Sequence, residues 1–194
     1  MTLEITLFSF LSAVVLGLLV AIVRTSHIVL FQKTARIYVD VIRGVPLLVQ
    51  IFFIYFGLGK IFNLSQFPAG VIAISICYSA YLSEIFRAGI EAIPKGQFDA
   101  SKSLGMNAIQ TMRYVILPQA FRIVIPPISN EFIACLKDSS LVSIIGLREL
   151  TRAGREFYSQ YFVDFETWFI VGFMYFVMVM IISKFIFYIE KNIK

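Results

Sequence analysis

Gly96-Gln-Phe-Asp99-Ala-Ser-Lys-Ser-Leu-Gly105-Met-Asn107-Ala-Ile-Gln110-Thr-Met-Arg-Tyr-Val-Ile-Leu117-Pro118 is the longest polar interval in a chain that otherwise reads as membrane. Its charges are mixed, and its glycines and prolines punctuate short helical pieces. Pro94-Lys95-Gly96 makes a turn, and a short helix is expected from Gln97 to Leu104. Gly105 stands where a left-handed residue closes the last turn. Asn107 followed by Gln110 predicts a capping box that opens a second short helix, which is expected to stop before Pro118. Two short helices joined by a glycine, carried by an apolar protein, form a surface presented to a soluble partner. Small residues at Ala100, Ser101 and Gly105 would let that partner approach closely.

Outside this interval the composition sets the class. Of 194 residues, 59% are hydrophobic and 15% charged, with a mean hydropathy of +0.84. A soluble domain is nearer half apolar and about a quarter charged. Charge-free runs recur, and the expected fold is an all-α polytopic membrane protein in one domain, 1–194, with five spans. They lie at about 5–23, 47–62, 68–86, 128–147 and 165–188, the last two flanking a charged external helix at Arg148–Glu156. The first run lacks a basic n-region and a small-residue cleavage site, so it reads as a retained span with a trivial external tail. Residues 27–43 carry Lys33, Arg36, Asp40 and Arg43 at spacings of three and four, which suits a helix along the interface. It is either a plain connector or a scaffold for a dimer. Arg43-Gly44-Val45-Pro46 then breaks the chain. Pro68 opens the third span, a polar loop covers 87–123, and Pro126-Pro127 is expected to start the fourth span.

Basic residues orient the chain. Twelve fall on the side of the 87–123 loop and the C-terminus, against four on the other side (Lys60, Arg148, Arg152 and Arg155). The loop and the C-terminus are thus expected in the cytoplasm and the N-terminus outside. The net charge of +5 belongs to these flanks rather than to nucleic-acid binding. Cys77 and Cys135 lie in apolar runs without metal-ligand spacing, so no metal site is expected. His27, the single histidine, reads as an interface residue, and Phe52, Phe53 and Tyr55 read as packing rather than gate.

The polar interval resembles the EAA loop of ABC-importer permeases: Glu-Ala-Ala, three residues, Gly, nine residues, Ile, one residue, Leu-Pro. Here Asp99-Ala100-Ser101, Gly105, Val115 and Leu117-Pro118 keep that spacing, with Asp, Ser and Val as departures. Nearly the whole chain is similar to the polar-amino-acid branch of that family. The matching stretches are Arg43-Gly44-Val45-Pro46-Leu47-Leu48-Val49-Gln50, Glu84-Ile85-Phe86-Arg87-Ala88-Gly89-Ile90, Ile93-Pro94-Lys95-Gly96-Gln97, Leu117-Pro118-Gln119-Ala120 and Leu136-Lys137-Asp138-Ser139-Ser140-Leu141. The resemblance implies a type I importer permease of the bacterial cytoplasmic membrane. Two permease subunits, the same or sister chains, would form the pathway, and an extracytoplasmic binding protein would deliver the amino acid. Two cytoplasmic ATPase subunits would dock through Gly96, Asp99, Ala100, Ser101, Leu104, Gly105, Leu117 and Pro118. ATP and Mg would sit on that ATPase. This chain holds no G-x-x-x-x-G-K-[ST] loop and needs no cofactor of its own.

Glu131, Lys137 and Asp138 lie in the expected fourth span, where a charge costs about 2.5–3.5 kcal/mol on insertion scales. Seven residues apart, Glu131 and Asp138 share a helical face, while Lys137 lies about 100° round from Asp138. One reading lines the path with this acidic face, with Ser139, Ser140 and Ser143 to hold the cargo's polar groups. The other makes Glu131, Lys137 and Asp138 a structural network. In the family the resemblance points to, the Lys-Asp pair recurs whatever the cargo. This leaves Glu131 and Asp164 as the stronger selectivity candidates. Acid without matching base predicts a basic amino acid as cargo. A small secondary transporter or channel with ion-coupling acids is the competing class. An intramembrane enzyme lacks any Ser/His, paired-Asp or metal set at membrane depth.

Overall fold

The computed structural model describes residues 1–26 and 28–193; His27 and Lys194, both placed by the sequence reading, lie outside the described residues. The described chain is helical: α1 (Thr2–Arg24), α2 (Val29–Gly44), α3 (Leu47–Phe52), α4 (Gly59–Phe62), α5 (Gln66–Glu91), α6 (Lys95–Ser103), α7 (Ala108–Thr111), α8 (Leu117–Asp138), α9 (Leu150–Tyr161) and α10 (Asp164–Ile193). A π-helical turn, Phe53–Leu58, fuses α3 to α4, a second, Met112–Ile116, fuses α7 to α8, and a 3-10 turn, Ser139–Ile145, extends α8.

Among the described residues, three helices are long and apolar enough to cross a membrane: α1, α5 and α10. A fourth crossing is formed if α2 and the continuous helix Leu47–Phe62 count as one span bent by 102°.

The scaffold is the parallel pair α1 and α5. Ser9, Ala13, Gly17 and Ala21 recur every four residues on one face of α1 and are all buried. In lipid, helices associate by close packing of such small residues, because lipid tails are as apolar as Leu. At Gly17 an added Cβ would lie 2.9 Å from the Leu82 Cβ and 3.0 Å from the Ser79 carbonyl. The Ser75 hydroxyl donates across the seam to the Ser9 carbonyl at 3.1 Å. Arg24 and Glu84 close its far end as an ion pair, which Arg87 extends by a 2.8 Å bond to Glu84.

Against this pair α8 runs antiparallel to α5. Val124 sits beside Gly89 and Val142 beside Gly70. The helix differs from the sequence expectation at its start. It begins at Leu117 and passes through Pro126 and Pro127 rather than starting there. Two adjacent prolines remove only the bonds to the Arg122 and Ile123 carbonyls, and both of those residues are exposed. Nor does helix end before Pro118. The wide turn at Met112–Ile116 runs straight into α8, and a wider turn is one way to relieve the proline ring's clash with the carbonyl four residues back. From Ala108 onward, the second half of the polar interval and the fourth apolar stretch are therefore one continuous helical path.

Gly17→Leu should wedge α1 from α5 and cost about 1–3 kcal/mol, the usual range for overpacking. The purified protein should unfold at a lower temperature. Gly172→Leu on α10, where an added Cβ meets nothing within 4 Å, should leave that temperature unchanged.

Candidate functional site

Where α2 breaks into α3, four elements enclose an open cavity of about 460 Å³. Arg43, Gly44, Val45, Pro46 and Leu47 form its corner; Cys77, Tyr78 and Tyr81 of α5 form one wall, and Glu131, Ala134 and Asp138 of α8 another. Gln50, a buried residue one turn into α3, holds the corner open. Its amide donates to the carbonyls of Ile42 and Val45, both at 2.9 Å, which satisfies backbone groups that the break leaves without helical partners. Tyr38 of α2 is tied to Ser79 of α5 at 2.7 Å, so the arm carrying Arg43 is fixed to the same helix that supplies the tyrosine wall.

Glu131 and Asp138 both face this cavity, as their seven-residue spacing predicts. Their surroundings differ. Asp138 accepts a hydrogen bond from the Tyr78 hydroxyl at 2.8 Å, whereas Glu131 is half-buried and bonded to no described side chain. Lys137 is exposed and does not pair with Asp138. Ser139, Ser140 and Ser143 do not line the cavity. Ser139 is fully buried and turns back to the Leu136 carbonyl at 2.8 Å, and Ser143 is buried in the 3-10 turn. A helix that tightens to 3-10 after Asp138 rotates these hydroxyls off the acidic face. Asp164 opens α10, exposed and outside the cavity.

Arg43, Tyr78 and Tyr81 are site residues that the periodicity of α2 and the third apolar run concealed. The Arg43 guanidinium lies 5.1 Å from the centre of the Tyr81 ring. Its signal was available in its position: a cation directly before a Gly-Val-Pro break that opens a membrane helix.

The second surface is the polar interval itself. Gly105 has φ of +78°, and the Met106 amide reaches back to the Ser101 carbonyl at 3.1 Å, which closes α6 as expected. Asn107 and Gln110 form the reciprocal capping box, both bonds at 2.9 Å. Gly96, Asp99, Ala100, Leu104, Gly105, Leu117 and Pro118 are exposed. Ser101 instead points inward, 2% exposed, and bonds the Thr111 hydroxyl at 3.0 Å. This bond joins the two short helices. Leu104 and Ile109, 82% and 77% exposed, leave an apolar tip that no described residue covers.

The charged stretch after α8 folds around Glu149, 2% exposed. Its carboxylate accepts from the Thr151 and Arg152 amides and from the Tyr175 hydroxyl, which caps α9 and ties it to α10. On the surface of α9, hydrogen bonds from Arg152 and Arg148 hold the Glu156 carboxyl below the usual range.

Residues 13–194 match the family model described as "Binding-protein-dependent transport system inner membrane component". The chain is 38% identical over 197 residues to the glutamine transport system permease protein GlnP of Escherichia coli strain K12, with 100% of this chain and 90% of GlnP covered. It is 46% identical over 157 residues to the L-cystine transport system permease protein TcyB of Bacillus subtilis strain 168, over 80% of this chain and 67% of TcyB. A solved structure titled "Crystal structure of an amino acid ABC transporter with histidines" superposes with a TM-score of 0.94 at 43% identity, covering 99% of this chain and 90% of the other. With a helical scaffold of type I permease form and relatives that are amino-acid transport permeases, this chain belongs to the inner-membrane permease family of binding-protein-dependent ABC transporters.

Proposed function

We propose that this chain lines the membrane pathway of an ATP-driven importer for a basic amino acid. The charge of the cavity carries the reading. Two carboxylates, Glu131 and Asp138, face one guanidinium, Arg43. An amino acid with a cationic side chain brings one positive charge and balances the set; a neutral zwitterion leaves one carboxylate uncompensated in a site where charge is costly. Tyr78 already supports Asp138, so Glu131 is the carboxylate left for the cargo's side chain. Ser139, Ser140, Ser143 and Asp164, outside the cavity, would act only through the frame around it. The solved relative whose title names histidines is in keeping with a basic cargo.

Energy would enter through the polar interval. Two permease subunits, of this or a sister chain, would each receive a cytoplasmic ATPase subunit carrying ATP and Mg on the exposed tip around Leu104, Gly105 and Ile109. An extracytoplasmic binding protein would deliver the amino acid on the α9 side. In this arrangement α1, Leu47–Phe62, α5, α8 and α10 make five crossings, with the N-terminus outside and the polar interval and C-terminus in the cytoplasm. The excess of basic residues on the latter side supports this orientation.

In proteoliposomes holding the assembled transporter, Glu131→Gln should lower arginine uptake about tenfold or more, the effect of losing about 1.4 kcal/mol, and glutamine uptake by less than about twofold. Equal losses for both amino acids would remove the selectivity reading. Gly105→Glu places a charge on the docking tip at a left-handed position and should abolish cargo-stimulated ATP hydrolysis while the permease still inserts and purifies. Unchanged stimulation would remove the docking role.

A further inference from the structure

We propose that Arg43 is the group that recognises the cargo's α-carboxylate, so that this cavity distinguishes an amino acid from the amine left by its decarboxylation. The proposal rests on the cavity being the cargo site. Among the described residues, Arg43 is the single cation lining that cavity. It makes no ion pair with Glu131 or Asp138, and no described acceptor bonds its guanidinium.

Arg43 is exposed at the mouth of this open cavity, so its guanidinium, always charged and a donor only, stands ready for an incoming acceptor. The Tyr81 ring meets it at 5.1 Å, a contact with the ring face that leaves the in-plane N–H donors open. Those donors form a rigid fork that matches a carboxylate with two parallel hydrogen bonds, which an ammonium group cannot do as well.

The fold also fixes where that fork lies. Arg43 is the penultimate residue of α2, and the backbone that follows it turns at Val45-Pro46. Gln50, on the α3 side, clamps the Ile42 and Val45 carbonyls that lead into the turn, and the Tyr38–Ser79 bond anchors the arm behind it. Arg43 therefore comes to the cavity on the α2–α3 corner, while both carboxylates come on α8. A basic amino acid presents a carboxylate for the Arg43 corner and a side-chain cation several bonds away for the acidic wall on α8. Agmatine, arginine without its carboxylate, would satisfy the acids and leave Arg43 unpaired.

The test is binding of four probes to the purified permease–ATPase complex without binding protein: arginine, agmatine, glutamine and 4-aminobutanamide. The unmodified complex should bind each amino acid about tenfold or more tighter than its amine, the usual size of one charge-assisted pair. Arg43→Gln should weaken arginine and glutamine alike by about tenfold, leave agmatine unchanged, and bring each amino acid to amine ratio near one. Arg43→Lys should restore part of the ratio, and both variants should keep the unfolding temperature of the complex. Equal weakening of amino acid and amine by Arg43→Gln, or no change in either, would overturn the assignment. Glu131→Gln separates this from failure of the cargo site. If Glu131→Gln weakens arginine and Arg43→Gln does not, only the role of Arg43 falls. If neither variant changes arginine binding, the site itself falls.

Discussion

Close approach between α1 and α5 is the constraint on which the rest of the molecule depends. Two helices without large side chains between them pack backbone to backbone, and dispersion summed over that contact replaces the hydrophobic drive that lipid does not supply. The seam from Ser9 to Ala21 leaves no room for a methyl group at Gly17. Because α5 is held so tightly, its other faces become a fixed wall. One face receives α8 at Gly89 and the 3-10 turn after it at Gly70, another receives α2 through Tyr38, and between them Cys77, Tyr78 and Tyr81 look into the cavity.

The cavity exists because one helix was broken on purpose. A straight helix through residues 29–62 would leave no open backbone and no corner. The Gly-Val-Pro break turns the chain by 102°, and a buried amide from Gln50 compensates the carbonyls it frees. Irregular backbone at membrane depth is tolerated where it is enclosed by protein or faces a polar cavity, and this corner meets that condition. At the opposite end of α8, the wide turn at Met112–Ile116 joins the exposed coupling pair to the cavity wall without a flexible linker. From Ala108 onward the chain is thus helical up to the part of α8 that carries Glu131 and Asp138.

Much of this was legible locally. The Asn107–Gln110 box and the left-handed Gly105 depend on neighbours within a few residues, so sequence alone specifies them. The break before Leu47 is likewise a property of Gly44 and Pro46. The acidic face of α8 follows from a spacing of seven. By contrast, Ser139, Ser140 and Ser143 read as extensions of that face, because nothing in their composition announces that the helix tightens after Asp138. Ser101 read as a contact residue, but its hydroxyl is consumed by Thr111 ten positions away. Pro118 read as a stop, and Pro126-Pro127 read as the start of a span. They are accommodated because the carbonyls they leave unpaired lie at exposed residues and a wide turn precedes them.

Composition, periodicity and short-range spacing determined by themselves that this is a helical membrane protein and that it carries a polar two-helix interval, and the motif spacing of that interval carries its resemblance to the loop of ABC-importer permeases. Those features are set by interactions within one or two turns, which the chain encodes in order. Only the tertiary structure decided that Arg43, Tyr78, Tyr81, Glu131 and Asp138 share one cavity, that three nearby serines and Asp164 do not, and that Ser101 faces inward. These residues belong to different helices, and which faces meet is fixed by how closely the small residues of α1 let α5 approach.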